Sequence, residues 1–469
     1  MEGLEVKVCW FSESINNKDF RIDSQFYTSA PTKNPVLNYD KIGNLLVKAQ
    51  YGISISMNEE SKGYPIYRMN EIHNMLCDSE VHKFADITKS ELEIFELNDR
   101  DVLFNRTNSY EWVGRTGLYR KLDERSFVFA SYLVRFIPNE KFVLPEFLST
   151  FLNTKYGIAD IKRRARQSIN QTNVNPEEVK KIDIPLLSIN FQNKLKNCYD
   201  IAHDNLVKSQ HFYTQAENLL LETLSLKNFT PSDEVVNIKT YKESYLLTGR
   251  LDAEYYQVKY DEIIKKIKSG SNWNSLEKIL IKIDTGEYST EYYRNNNSKD
   301  LTFYIRSTNI KEGQIEVDNN YFVPRKDFIR VAKSGNIVTA RVGSIGVFGE
   351  VRKELDGAIY SDNVLCFQLP DNFIPSVYTL LFNTKYYYEL IDRLARGSVQ
   401  QRLNQETLKD LIIPIIEESI QQQISEKIEE SFQLKKKSEQ LLDLAKKAVE
   451  MAIEESEEVA MEFINQKIN

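Results

Sequence analysis

From Leu195 the chain places apolar or small residues at Tyr199, Ala202, Leu206, Ser209, Tyr213, Ala216, Leu220 and Thr223, alternating by four and three. That is heptad spacing. The same series returns 229 residues later at Ile424, Ile428, Ser431, Lys435, Ser438, Leu442, Ala445, Val449 and Ala452. It runs on through Ser456, Val459 and Phe463. The pattern predicts two amphipathic helices, each roughly 50 Å long for about 35 residues. A seam containing Ser, Lys and Ala is weak for a free parallel dimer, so the two helices are expected to pair antiparallel within the chain. Such a pair would hold two domains apart about a pseudo-two-fold axis. The blander arrangement packs each helix on its own domain.

Upstream of each helix the pattern is β-rich first and helical last. "DVLFNRT" from Asp101 and "FVFASYLVRFIP" from Phe127 read as short strands, as do "NIVTARVGSIGVFGEV" from Asn336 and "AIYSDNVLCFQLP" from Ala358. "LPEFLSTFLNTKYGIADIKRRA" and "SVYTLLFNTKYYYELIDRLA" have helical spacing. In "IDIPLL" and "LIIPII" the proline is expected to stop regular structure. These blocks also match one another. "RIDSQFY" pairs with "RLDAEYY", "YRMNEI" with "IRSTNI", "LNTKY" with "FNTKY", and "ARQSINQTNVNPEEVKKIDIPLL" with "ARGSVQQRLNQETLKDLIIPII", in one order. A unit of about 230 residues is therefore duplicated in tandem. The predicted fold is α+β: two β-rich α/β domains, each followed by a long helix, with the helices forming an antiparallel coiled-coil spacer. Boundaries are placed at 1–187, 188–235, 236–416 and 417–469.

Composition narrows the function. No apolar run nears the roughly 18 residues that would span a bilayer, and no basic-then-apolar segment suggests a secretory signal. Four cysteines without a CxxC pair suit reduced thiols in a cytoplasm. The net charge is −7, but residues 417–469 carry 13 Asp/Glu against 7 Lys. The domains are then near neutral, and a basic groove in each is compatible with the total. There is no Walker A pattern, GxGxxG, HExxH or zinc-type Cys/His cluster. Asp160 with Glu178 and Lys180 fits a metal-dependent nuclease only loosely, and Thr407 replaces Glu178 in the second copy. The chain reads as a binder without catalytic residues or a metal of its own. The alternatives are a duplicated-domain nuclease or methyltransferase, or a non-enzymatic dimerising protein.

Arginines recur at equivalent places: Arg68 with Arg306, Arg106 with Arg341, and Arg166 with Arg396. They lie among Asn70, Asn108, Arg115, Ser307, Thr308, Asn309 and Ser344. That mixture suits base edges, because Arg reads guanine bidentately, Asn reads adenine, and hydroxyls adapt to either. Arg164, Arg166, Ser168 and Gln171, with Arg396, Ser398 and Gln401, lie at a helix end before a loop, where phosphate oxygens would be held. Cations in the last turn of a helix serve the structure equally well.

These residues carry a family pattern. The repeated "ARxS…Q…N…I.IP" block, the Gln-bearing helix starts "SINFQNKL" and "ESIQQQI", and "IRSTNI…SGNIVTARVGSIG" resemble DNA-specificity subunits of type I restriction–modification systems along essentially the whole chain. The first copy departs at "NDRDVLFNRTNSYEWVGRTG", which has a longer insertion. The resemblance implies two target-recognition domains, each reading one half of a bipartite site in double-stranded DNA. It implies helices that act as a spacer and dock methyltransferase (modification) subunits, with restriction subunits joining. S-adenosylmethionine, ATP and Mg would belong to those partners and not to this chain. The implied setting is a bacterial or archaeal cytoplasm, with no membrane.

Overall fold

A computed structural model describes residues 8–12, 22–78, 80–169, 171–234, 236–295, 297–343, 345–395 and 402–468. The chain forms two compact units: one runs up to Val207 and takes in residues from Leu434 onward, and the other is Lys208–Gln433.

In the first unit, short strands whose inner members are almost wholly buried build a six-stranded sheet. Its strands are β1 (Leu46–Tyr51), β2 (Ile72–His73), β3 (Leu76–Cys77), β4 (Val102–Asn105), β5 (Thr116–Leu118) and β6 (Leu133–Pro138), in the order β1-β6-β4-β5-β3-β2. All neighbours are antiparallel except β5 and β3. A three-stranded sheet sets Tyr64–Tyr67 between Val128–Phe129, parallel, and Phe84–Ala85, antiparallel. Helices α1 (Pro145–Asn153) and α2 (Lys155–Arg164) follow, and then α3 (Ile189–Thr223).

The second unit repeats the order of four of the six strands and the three-stranded sheet. Strands β7 (Lys282–Thr285), β8 (Ile337–Ala340), β9 (Phe348–Glu350) and β10 (Val364–Gln368) run β7-β10-β8-β9, all antiparallel. Leu301–Ile305 lies between Ile359–Tyr360, parallel, and Phe322–Pro324, antiparallel. Helices α4 (Pro375–Asn383) and α5 (Lys385–Leu394) precede α6 (Glu418–Glu454).

Each apparent helical block is thus two helices. The breaks fall at Thr154 and Thr384, whose hydroxyls donate to the carbonyls of Phe151 and Leu381. The prolines of "IDIP" and "LIIP" stop regular structure as expected, each as the last residue of a short strand. Asp183–Pro185 pairs with Tyr39–Lys41, and Ile412–Pro414 with Trp273–Ser275. Proline is tolerated there because it ends an edge strand and leaves no ladder bond unmade.

Within each unit, its parts of the two long helices pair antiparallel. In the first unit Leu195, Tyr199 and Ala202 share a core with Leu442, Ala445, Val449 and Ala452, and Leu206 packs against it. In the second, Ala216 and Leu220 share a core with Ile424 and Ile428, and Tyr213 packs alongside. Ser209 and Ser431 meet within the second unit at 3.1 Å between hydroxyls, so the polar seam residues there satisfy each other. Beyond Glu454 the expected seam shifts. The helix breaks at Glu455–Ser456, and in the new helix Glu457–Ile468 the buried residues are Ala460 and Ile464, while Val459 is exposed.

Duplicated polar side chains fix the helices to the sheets. Gln192, fully buried, donates to the carbonyls of Phe142 and Leu187 and accepts from the amide of Leu144. Gln421 does the same with Asn372, Ile416 and Ile374. Asn153 and Asn383 each bridge their own helix to the neighbouring strand, donating to Ser149 and Thr116 and to Thr379 and Phe348. Arg120 reaches Asp200 on α3 at 2.8 Å, and Arg352 reaches Glu429 on α6 at 2.9 Å.

Candidate nucleic-acid interface

In each unit the central strand, β4 or β8, is followed directly by an arginine. Arg106 donates its amide to the carbonyl of Tyr132 and accepts from the amide of Val174. Arg341 does the same with Asn363 and Leu403. Both side chains are half-buried, and the Nε atoms of both have no hydrogen-bond partner among the described residues. The Arg106 guanidinium lies 5.2 Å from the ring centre of Tyr51, while Arg341 donates to the carbonyl of Asp362. Beside each arginine a glycine lets two strands meet. A β-carbon at Gly52 would sit 2.3 Å from the Ala130 carbonyl oxygen, and one at Gly286 2.0 Å from that of Tyr360.

The loop after α2 folds back onto this strand end in the first unit. Arg166–Gln167 pairs with Thr172–Asn173, which pairs with Thr107–Asn108. Ser168 closes the turn on the carbonyl of Gln171 through both its amide (2.8 Å) and its hydroxyl (2.7 Å). Arg106, Asn108, Arg115, Arg166, Ser168 and Gln171 therefore converge on one region, with Arg166, Ser168 and Gln171 exposed. In the second unit Val342 bridges to Arg402 at the same place. Ser344, Arg396, Ser398 and Gln401 lie outside the described residues.

The other candidates are placed differently. Arg68 and Asn70 follow the middle strand of the three-stranded sheet. Arg68 is ion-paired with Glu71, its Nε 3.1 Å from Oε1, and Asn70 is exposed. At the equivalent turn Arg306 donates to Asn309 and to Asp318 (3.0 Å) and stacks 3.1 Å from the centre of the Tyr321 ring. Ser307 and Thr308 form that turn, and Asn309 is buried in it. Arg164 is buried, bonded to Asp160 (2.9 Å) and Glu178 (3.0 Å). Its charge is spent inside the fold, as the requirement that buried ions be paired dictates. The same bonds occupy the two carboxylates of the loose nuclease triplet, and Lys180 pairs with Glu177 instead.

Sequence reasoning passed over Lys162, which gathers the carbonyls of Tyr110, Glu111 and Val113 under the loop of the first unit. Burial pushes its ammonium down to about 8, opposed by the Glu111 charge and reinforced by that of Arg115. Three donated bonds into one loop are the signal, and nothing local to Lys162 in the sequence announces them.

Residues 253–443 match the model of the "type I restriction modification DNA specificity domain". That stretch, about two fifths of the chain, is similar to the DNA specificity domain of type I restriction–modification systems. It is 28% identical over 145 residues to the type I restriction enzyme EcoKI specificity subunit of Escherichia coli, covering 31% of this chain and 30% of that protein. It is 24% identical over 205 residues to the putative type I restriction enzyme MjaX specificity subunit of Methanocaldococcus jannaschii, covering 44% and 47%. The matched stretches thus span less than half the length of these relatives. A solved type I restriction–modification S subunit from M. genitalium is 12% identical, with 92% and 98% of the two chains covered and a TM-score of 0.40. Among the described residues no helix is long and apolar enough to cross a membrane.

Proposed function

We propose that this chain is the DNA-reading subunit of a type I restriction–modification complex, with each unit reading one half of a bipartite site in double-stranded DNA. The observation that carries this is the repeated strand end. In both units an arginine whose buried Nε has no hydrogen-bond partner among the described residues follows the central strand, and its carbonyl accepts from a residue distant in the chain, Val174 or Leu403. Exposed Arg166, Ser168 and Gln171 would hold phosphates and set register, while Arg106, Asn108, Arg115 and Arg341 would face base edges. The helix pair would fix the gap between half-sites and dock the methyltransferase subunits, with restriction subunits joining. S-adenosylmethionine, ATP and Mg are assigned to those partners, and the chain itself supplies recognition without catalysis, in a bacterial or archaeal cytoplasm.

The test is methylation-aware sequencing of DNA from cells expressing this chain with its neighbouring methyltransferase, against the methyltransferase alone. A split motif that appears only with this chain is expected. A soluble, co-purifying pair that adds no methylation overturns the reading.

A further inference from the structure

The two strand ends differ in one loop. Between Asn105 and Gly114 the first unit has residues 106–113, whereas between Ala340 and Gly346 the second has only 341–345. Both loops return through a glycine of positive φ, +92° at Gly114 and +90° at Gly346, packed against Ile161 of α2 and Tyr388 of α5. The longer loop carries two large aromatics that the shorter one lacks: Tyr110 is 40% and Trp112 is 43% exposed. Rings of that size normally leave water. These are held out of the core by a stiff base, since Lys162 bonds three carbonyls of the loop and a β-carbon at Gly114 would press on Ile161. Arg115 stacks 3.4 Å from the centre of the Trp112 ring, so the ring stands on a cation. Exposed Tyr51 and Tyr132 flank the same strand end.

We propose that the loop Ser109–Gly114 is a wedge that stacks Trp112 into a base step of the first unit's half-site, so that this unit distorts its DNA and the second does not. The proposal rests on the DNA-reading function above and adds a mode of readout to it. Aromatic wedges unstack a step and kink the duplex, and every base offers a face for stacking. Double-stranded DNA suits this surface better than a protein partner. The aromatics alternate with Arg106, Arg115 and exposed Arg166, giving ring faces for bases and cations for phosphates in one patch.

The experiment uses the full chain in its methyltransferase complex and a duplex carrying the split motif, with 2-aminopurine placed at successive positions across both half-sites. Beyond the signal of any base that the methyltransferase turns out of the stack, fluorescence is expected to rise on binding at one further step of one half-site only. Trp112→Ala should abolish that rise and weaken binding about ten-fold, the lower end of a lost base stack, whereas Trp112→Phe should retain most of both. A bound duplex with no such further change, or one unaltered by Trp112→Ala, overturns the wedge alone. Loss of the methyltransferase from the Trp112→Ala complex also overturns it, in favour of a protein contact. If the unmodified complex fails to bind the duplex, both the wedge and the DNA-reading function fall.

Discussion

The two units are alike where the sheet meets the long helices and at the backbone of the strand-end arginines, and unlike in the turns and loops beyond. Gln192 and Gln421 make the same three bonds, Asn153 and Asn383 the same two, and Arg120–Asp200 is repeated by Arg352–Glu429. At the far end, Arg68 takes a carboxylate partner where Arg306 takes an amide, an aspartate and a tyrosine ring. One loop is three residues longer and carries Trp112. The division is physical. Buried polar groups must each find a partner, so a framework built on them cannot drift without leaving orphans. Exposed loop side chains such as Tyr110, Trp112 and Arg166 carry no such obligation and are free to become specific.

The largest effect tests the framework at its tightest point. Gly286→Ala and Gly52→Ala each drive a β-carbon into a carbonyl oxygen, at 2.0 and 2.3 Å before relaxation. Each should cost its own unit about 3 kcal/mol or more. Hydrogen exchange followed by mass spectrometry should show the loss confined to that unit, and equal loss in both units would break the comparison. Next comes Gln192→Ala against Gln421→Ala. Each strands a buried amide and two carbonyls, for roughly 2–3 kcal/mol, and the two costs should match in denaturant titrations.

The strand-end arginines come third and should separate the units. Arg106→Ala and Arg341→Ala should each weaken recognition of one half-site by roughly 1–3 kcal/mol, read as lost methylation of duplexes altered in one half at a time. Weakening at both halves would make them phosphate or structural residues. The smallest effect exploits a mismatch inside the framework. Buried Leu118 of the first unit corresponds to Glu350 in the second, whose carboxyl is raised above its ordinary range by burial; Arg352 opposes that rise and Glu429 adds to it. A carboxyl raised by folding keeps its proton longer when folded, so the fold loses stability as pH climbs from 4.5, the ordinary value, through the folded value. Glu350→Leu should therefore stabilise the second unit by about 1 kcal/mol at pH 8, with the gain fading towards pH 4 in urea melts.

Much of this was legible in the chain. The duplication, the strand positions and the antiparallel helix pair all follow from spacing, because burial of one helix face imposes a period that survives in sequence. The breaks at Thr154 and Thr384 were hidden because apolar spacing continues across them, and only a hydroxyl bond marks each stop. Strand order was hidden because it depends on pairings between distant residues, as when Thr172–Asn173 joins Thr107–Asn108. At the candidate site, residue type gave the arginines but not their partners. Arg164 looks like any cation at a helix end until Asp160 and Glu178 close around it.

The discontinuity of the first unit has a consequence during synthesis. Its core includes Leu442, Ala445, Val449, Ala452 and Ile464, which the ribosome adds only after the entire second unit. At about 5–20 residues per second, the nascent first unit waits on the order of tens of seconds for its last helix. A message cut short near its 3′ end thus yields not a one-armed reader but a chain whose earliest-made half is the incomplete one, with its apolar seam open to chaperones and proteases.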